Sequence, residues 1–423
     1  MDRALVPSIL TLTVGLAVLR PRVGIGALRF TPGSAALLGV IALFGTGVLS
    51  PDQLVEAARL QWPPLLALAS IMVMTGVVQE AGAFERLSAR LETRARTRSA
   101  THTFTVVFLA SAVTPALLNN DAAILILTPL VVALARRLYP RRPELTAAFA
   151  FAVFLAPGVA PFLVSNPMNM IAAELAGLDF NSYASVMLPI SIVGAAVTYA
   201  ILRLVYRRLL RSATPASAPV TTVHRRAGER PAVALMLAVF AAYPIAAARG
   251  VEIWFVAVAG ALGALALSRV YEIAPMRRVV RHVSLDILVF LWGIFLVVQG
   301  LRSIGAVDWL AGVYGAAPPG SGRQLATIGA ISAAGSAAID NHPMSILNML
   351  AIDGSRDPRS LLAALVGGDI GPRLLPIGSL AGLLWMDLLR RAGVDIGLGR
   401  FVRLGTLVLV PTLAISLALL WAL

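Results

Sequence analysis

FTVVFLASAVTPALLNNDAAILILTPLVVALAR, residues 104–136, decides how this chain is read. Two apolar arms flank a polar tip, Asn119-Asn120-Asp121. Each arm holds about fifteen residues, and at ~1.5 Å per residue such a helix reaches about 23 Å, short of the roughly 30 Å hydrocarbon core. Arg94, Arg96 and Arg98 precede the stretch, Arg136 closes it, and Arg137, Arg141 and Arg142 follow. Arginine-rich flanks mark the cytoplasmic side, so both ends lie there and residues 103–135 form a re-entrant hairpin. Its tip then sits at membrane depth, where bare polar groups are costly and tend to be functional.

The surrounding composition agrees with a membrane setting. Of 423 residues, 58% are hydrophobic and 13% charged, with a mean hydropathy of +0.83; soluble domains do not reach such values. The net charge of +14 comes wholly from arginine, since the chain contains no lysine. Those arginines cluster between apolar segments rather than on one patch, which speaks for orientation in a bilayer and against nucleic-acid binding. The cysteine count is zero, which excludes disulfides, thiolate metal sites and cysteine nucleophiles. The first apolar run, Ala4–Leu19, has no basic region before it and reads as a retained span rather than a signal peptide.

Outward from the hairpin the chain alternates spans and arginine loops. Spans fall at about 4–19, 35–49 and 63–80, with residues 51–62 forming an outside loop and Leu87 and Leu91 marking a short interfacial helix before the hairpin. Residues 144–177 are apolar but interrupted by Pro157, Pro161 and Ser165-Asn166-Pro167-Met168-Asn169. Proline removes a backbone donor, so this span is expected to break and expose backbone groups. A span at 185–204 leads to a basic linker, 205–230, placed in the cytoplasm. The second half repeats the plan: spans at 231–248, 251–268 and 284–300, short arms at 324–339 and 344–352 around Asp340-Asn341-His342-Pro343, a broken stretch at 361–389, and a last span at 404–422.

The fold expected is an all-α polytopic membrane protein, an inverted repeat of about 5+5 transmembrane helices with two re-entrant hairpins, 103–135 and 324–352, and two discontinuous helices, 144–177 and 361–389. Residues 1–204 form the first repeat and 231–423 the second, with both termini outside. Inverted repeats whose broken helices meet at mid-membrane are the mark of secondary transporters.

The polar clusters each have a plainer reading. Asn119, Asn120 and Asp121 are candidate substrate and proton groups, or helix caps. Ser165, Asn166 and Asn169 are a candidate wall of the site, or a proline kink satisfied by its own side chains. Asp340, Asn341 and His342 combine a carboxylate with an imidazole at an apolar tip, a pair suited to carrying a proton, against an N-cap with Arg373 as counter-ion. Asp369 invites the same reading, against a structural Asp369–Arg373 pair at i, i+4. Glu80, Glu174 and Asp387 lie near span ends, and His102, His224 and His282 in loops or at boundaries, with no chemical role expected. Nucleotide-binding loops and hydrolase motifs are absent from the sequence.

These clusters resemble the arsenite/antimonite efflux permeases of the ArsB family, in the ion transporter superfamily that also holds sodium/proton antiporters and dicarboxylate carriers. The most specific piece is GGDIGPRLLPIGSLAGLLWMDLLRR at 367–391, similar to the family's Asp-Leu-Gly-Pro … Pro-Ile-Gly-Ser-Leu-Ala-Thr-Leu-Leu-Trp signature. NDAAILILTP at 120–129, LVSNPMNMIAAELAGLDFNSYASVMLP at 163–189, LVVQGLRSIGAVDWLAGV at 296–313 and AIDGS at 351–355 follow the family in the same order. Two departures stand out. Asp340-Asn341-His342-Pro343 replaces Asn-Asn before Met-Pro, and Ala156-Pro157 replaces Asp-Thr, as though a carboxylate had moved between the halves.

The resemblance implies export of arsenite or antimonite as the neutral trihydroxide, across the cell inner membrane, by alternating access with proton antiport. It implies substrate binding at Asn119, Asn120, Ser165, Asn166, Asn169, Asn341, Gly378 and Ser379, and proton coupling at Asp121, Asp340, His342 and Asp369. No resident metal or other cofactor is expected, and no enzyme activity. Alternatives are the membrane subunit of an arsenite pump driven by a separate soluble ATPase, and a sodium- or proton-coupled organic-anion or cation carrier. The partners implied are the arsenical, protons and the bilayer, with the ATPase and a homodimer left open.

Overall fold

The computed structural model describes residues 5–19, 22–23, 28–118, 120–216, 226–352 and 357–423, the side chains of 18–19, 22–23, 28–29 and 121 excepted. Asn119, the side chain of Asp121, His224 and the middle of the 205–230 linker therefore lie outside the described residues.

The first half comprises α1 (Leu5–Leu19), a two-residue antiparallel ribbon of β1 (Arg22–Val23) and β2 (Leu28–Arg29), α2 (Pro32–Gly45), α3 (Pro51–Glu80) and α4 (Ala83–Ala95). It continues with α5 (Ala100–Leu117), α6 (Asn120–Leu138), α7 (Pro143–Leu155), α8 (Pro167–Ala176), α9 (Phe180–Val205) and the short α10 (Arg207–Arg211). The second half comprises α11 (Glu229–Ala247), α12 (Ile253–Val270), α13 (Met276–Val280), α14 (Leu285–Gln299) and α15 (Ala306–Gly315). Then follow α16 (Gly322–Ile339), α17 (Asn341–Ile352), α18 (Pro358–Ile370), α19 (Leu380–Arg391) and α20 (Leu398–Ala422). Apart from that ribbon the regular elements of the described residues are helices, and the protein is a multi-pass membrane protein. Among the described residues, seven stretches are long and apolar enough to cross a bilayer: α3, α5, α9, α11, α12, Met276–Ile304 and α20.

Several boundaries differ from the sequence expectation, each for a local reason. Residues 51–62 are not an outside loop; they are the first turns of α3, a helix of 30 residues. Ser50 and Gln53 close a capping box with Pro51 at the first helical position, a start strong enough to carry the helix through Pro63 and Pro64. The first hairpin's arms are 18 and 19 residues rather than about fifteen, because Ser99 caps α5 five residues before Phe104 and α6 runs on through Arg136 and Arg137. Helices α1 and α2, at 15 and 14 residues, fall short of the spans expected there.

Both discontinuous helices break as their prolines demand, and they break alike. After α7 the chain is irregular through Pro157 and Pro161, makes one 3-10 turn at Leu163–Ser165, and restarts at α8 with Asn166 as N-cap. After α18 it passes Pro372, makes a 3-10 turn at Pro376–Gly378, and restarts at α19 with Ser379 as N-cap. Both caps are extended, at φ −146° for Asn166 and −157° for Ser379.

Matched elements of the two halves exchange contacts. Helix α2 packs on α14 and α3 on α12; α6 packs on α19 and α8 on α17; α9 packs on α20. Reciprocal contacts of this kind are what a twofold relation produces. Around α6, α7, α19 and α20 the seam is aromatic: Trp385 stacks on Phe154 at 4.9 Å, lies 5.4 Å from Phe151, and donates its indole N–H to the Ala150 carbonyl at 3.2 Å. The second hairpin is braced by hydrogen bonds instead. Tyr314 donates to Asn348 Oδ1 at 2.6 Å, Asn348 Nδ2 donates to Ser332 at 2.9 Å, and Ser332 donates to the Ala364 carbonyl at 2.6 Å, tying α15, α17, α16 and α18 together.

Candidate functional site

The two breaks and the two hairpin tips meet. One cavity of about 60 Å³ is lined by Asn120 at the first tip, Asn341 and His342 at the second, Pro157, Gly158 and Asn166 from the first break, and Asp369, Pro372, Arg373 and Ser379 from the second. Ile124, Phe154, Pro167 and Ala381 complete it with apolar surface. Such a space holds a few water-sized particles.

Asn166 does two jobs. Its Oδ1 accepts the Met168 N–H at 3.0 Å, capping α8, while its Nδ2 donates to Asp369 Oδ1 at 2.8 Å across the halves. The other carboxylate oxygen of Asp369 accepts the Ala160 N–H at 2.8 Å, a donor set free by the break. Both partners of Asp369 are neutral. The i, i+4 ion pair with Arg373 allowed by the sequence does not form, since that guanidinium is turned elsewhere. Arg373 Nη2 donates to the carbonyls of Leu155 and Pro157, each at 2.9 Å, and Nη1 to Thr412 at 3.1 Å and Thr198 at 3.4 Å. Residues before Pro157 cannot close their helix, so their carbonyls need donors, and the buried Arg373 supplies them. The role of counter-ion to Asp340 is likewise not the one it takes, and the residue that sequence reading treated only as a countercharge is a bridge between the halves. Its signal was an arginine inside an apolar stretch with no arginine neighbour.

Asp340 closes α16 with a left-handed backbone, φ 79°, a conformation that side-chain-bearing residues seldom hold and that strains the tip. Its Oδ1 accepts the His342 N–H at 3.0 Å and pairs with His342 Nδ1 at 2.8 Å. Its Oδ2 is buried without a hydrogen-bond partner among the described residues. The carboxylate thus both caps α17 and contacts the imidazole.

Six of the residues singled out from sequence reach the cavity wall: Asn120, Asn166, Asn341, His342, Asp369 and Ser379. Ser379 also caps α19, accepting the Gly382 N–H at 3.0 Å. Four do not reach it. Ser165 donates to the Ala116 carbonyl at 3.3 Å, joining the first break to the first hairpin. Asn169 is fully buried in α8, its amide unpaired among the described residues. Asp340 sits behind His342. Gly378 is a spacer: a Cβ there would lie 2.9 Å from Pro372 Cα and 3.0 Å from Ala337 Cα, so its lack of a side chain lets the break approach the second hairpin.

Residues given no chemical role make structural pairs outside the site. Glu80 and His282, assigned no role, pair at 3.0 Å with Arg278 3.4 Å from the same carboxylate, tying α3 to α13. Asp387 forms an exposed pair with Arg391 at 2.7 Å.

The comparisons with known proteins fit this geometry. A family model described as a citrate transporter matches residues 24–368. The arsenical pump membrane protein of Escherichia coli K12 is 30% identical, with 97% of this chain and 96% of that protein aligned, and the one from Yersinia enterocolitica is 31% identical over the same shares. The crystal structure of the Alcanivorax borkumensis YdaH transporter superposes with a TM-score of 0.61 at 18% identity, covering 99% of this chain and 96% of that one, a likeness of fold. With a family model over most of its length and full-length relatives among arsenical pump membrane proteins, the chain belongs to the citrate transporter family and is a membrane transporter.

Proposed function

We propose that this transporter exports arsenite or antimonite as the neutral trihydroxide, in exchange for a proton, by alternating access. The observation that carries the proposal is the cavity itself: small, lined by amides, a hydroxyl and an imidazole, with a carboxylate in its wall and its one arginine committed to backbone carbonyls. A neutral solute whose hydroxyls both donate and accept matches Asn120, Asn166, Asn341 and Ser379. A tricarboxylate would meet Asp369 with like charge and would find the one arginine of the wall already committed to carbonyls. Full-length relatives named arsenical pump membrane proteins support the same cargo.

Asp369 is the proposed proton carrier, because a carboxylate held only by neutral donors exchanges its proton without breaking an ion pair. The Asp340–His342 pair is the second relay, with Asp121 beside the first tip. Entry of one proton per neutral cargo is electrogenic and, at 100 mV, supplies about 2.3 kcal/mol per charge, enough for a gradient of roughly fifty-fold. The proposal also takes residues 1–204 and 231–423 as repeats of opposite orientation, joined by 205–230. The reciprocal packing supports it. Orientation by arginine gives a cytoplasmic linker and both termini outside, in the cell inner membrane.

The family description favours one second reading, a carrier of organic anions, with Arg373 freed from its carbonyls as the anion's partner. Everted vesicles separate the two. Arsenite accumulation that an uncoupler abolishes and that needs no ATP supports the proposal. Citrate uptake without arsenite transport overturns it in favour of the second reading, and arsenite accumulation that requires ATP with a soluble ATPase overturns the antiport step.

A further inference from the structure

Away from the cavity, the last spans of the two halves leave a recess at their arginine-rich ends. It measures about 740 Å³ and lies between the C-terminal end of α9 and the N-terminal turns of α20, lined by Val205, Tyr206, Arg400, Arg403, Leu404 and Leu407. Val205 and Leu407 are 45% and 49% exposed, so the apolar wall of the recess is open at the protein surface. Arg203, one turn before Tyr206, has a buried Nη1 without a hydrogen-bond partner among the described residues. None of Arg203, Arg400 and Arg403 has an acidic partner within 4.0 Å among those residues. Arg400 lies over the Phe151 ring, 5.9 Å from its centroid.

We propose that this recess is a binding site for an anionic phospholipid, its phosphate held by Arg400 and Arg403, and an acyl chain laid along Val205, Leu404 and Leu407. Guanidinium groups take phosphate oxygens in paired, planar hydrogen bonds, and basic pockets between spans on the cytoplasmic side recognise anionic headgroups. A zwitterionic lipid would bring its own cation against two arginines. A free anion would satisfy the arginines but leave the apolar half of the recess empty. The site also has a structural consequence: Arg403 is two residues from Gly405, which packs directly beneath the Arg373 carbonyl, so a lipid that holds this turn of α20 holds the backing of the transport cavity.

Native mass spectrometry of the detergent-purified protein, titrated with phosphatidylglycerol, phosphatidylcholine or inorganic phosphate, tests the site. Phosphatidylglycerol is expected to bind in preference to phosphatidylcholine, and Arg400→Gln with Arg403→Gln to weaken it roughly thirtyfold, at about 1 kcal/mol per arginine. Leu407→Trp keeps every charge and fills the apolar half, so it is expected to weaken the lipid as well, and it serves if the double variant does not fold. Arg277→Gln with Arg281→Gln removes equal charge elsewhere and is expected to leave binding within about twofold. Equal loss in that control overturns the site in favour of general surface charge. Equal binding of both lipids, or displacement of phosphatidylglycerol by inorganic phosphate at like concentration, overturns it too.

Discussion

Asp369 of the second half and Asn166 of the first are joined by a hydrogen bond of 2.8 Å that crosses the centre of the molecule, and the same asparagine caps the helix on which it sits. One side chain thus sets both the restart of a broken helix and the orientation of the buried carboxylate facing it. Removing either partner is felt at both places.

Replacing Asn166 separates the two roles. Asn166→Ala loses the cap, worth about 0.5–2 kcal/mol, and also the donor to Asp369. Asn166→Ser restores a cap but cannot reach Asp369 in the same way. The serine variant is expected to regain most of the thermal midpoint in detergent while transport stays at least about tenfold down. Equal recovery of both would show that Asn166 serves only as a cap.

Asp369→Asn is expected to fold but to lose gradient-driven transport. Its amide nitrogen would face either the Ala160 N–H or the Asn166 amide, leaving one buried donor unpaired at about 1–3 kcal/mol. Vesicle transport measured against external pH should lose its proton dependence in this variant; a wild-type profile would remove Asp369 from the coupling.

Arg373→Met takes four hydrogen bonds from the centre and strands the Leu155 and Pro157 carbonyls. A loss of about 2–5 kcal/mol is expected, read as a lowered unfolding midpoint. Arg373→Lys keeps the charge but cannot serve two carbonyls and two threonines from one plane, so partial rescue is expected. Full rescue by lysine would reduce the role to charge alone.

Gly405→Ala is expected to prevent stable assembly, because its Cβ would strike the Arg373 carbonyl, backbone against backbone. Gly399→Ala, in the same helix with nothing within 4 Å, is expected to stabilise by about 0.5–1 kcal/mol. Detergent-extracted yield by size-exclusion chromatography distinguishes them, and comparable yields would refute the close approach.

Asn348→Ala opens the brace under the second hairpin, leaving Tyr314 and Ser332 without their shared partner. A cost of about 1–3 kcal/mol is expected, with slower transport from a loosened tip. Hydrogen exchange of residues in α17 reports it: unchanged protection would place the rigidity elsewhere.

What sequence alone determined follows from local physics. Apolar length, arginine flanks and proline breaks are properties of short segments, so the bilayer setting, two hairpins, two discontinuous helices and the polar tips were all legible. Capping chemistry was legible at Asp340, whereas the caps that Asn166 and Ser379 make were found only in the structure. What the tertiary structure decided is which of the polar groups share a space. Asn120, Asn166, Asn341, His342, Asp369 and Ser379 do, and Ser165, Asn169, Asp340 and Gly378 do not. The partner of Arg373 was undecidable from spacing, because an i, i+4 carboxylate and a set of carbonyls more than two hundred positions earlier compete for the same guanidinium. The carbonyls win because the proline break leaves them buried with no other donor, while Asp369 finds its own donors in the opposite half. Such competition is settled only when the halves pack together.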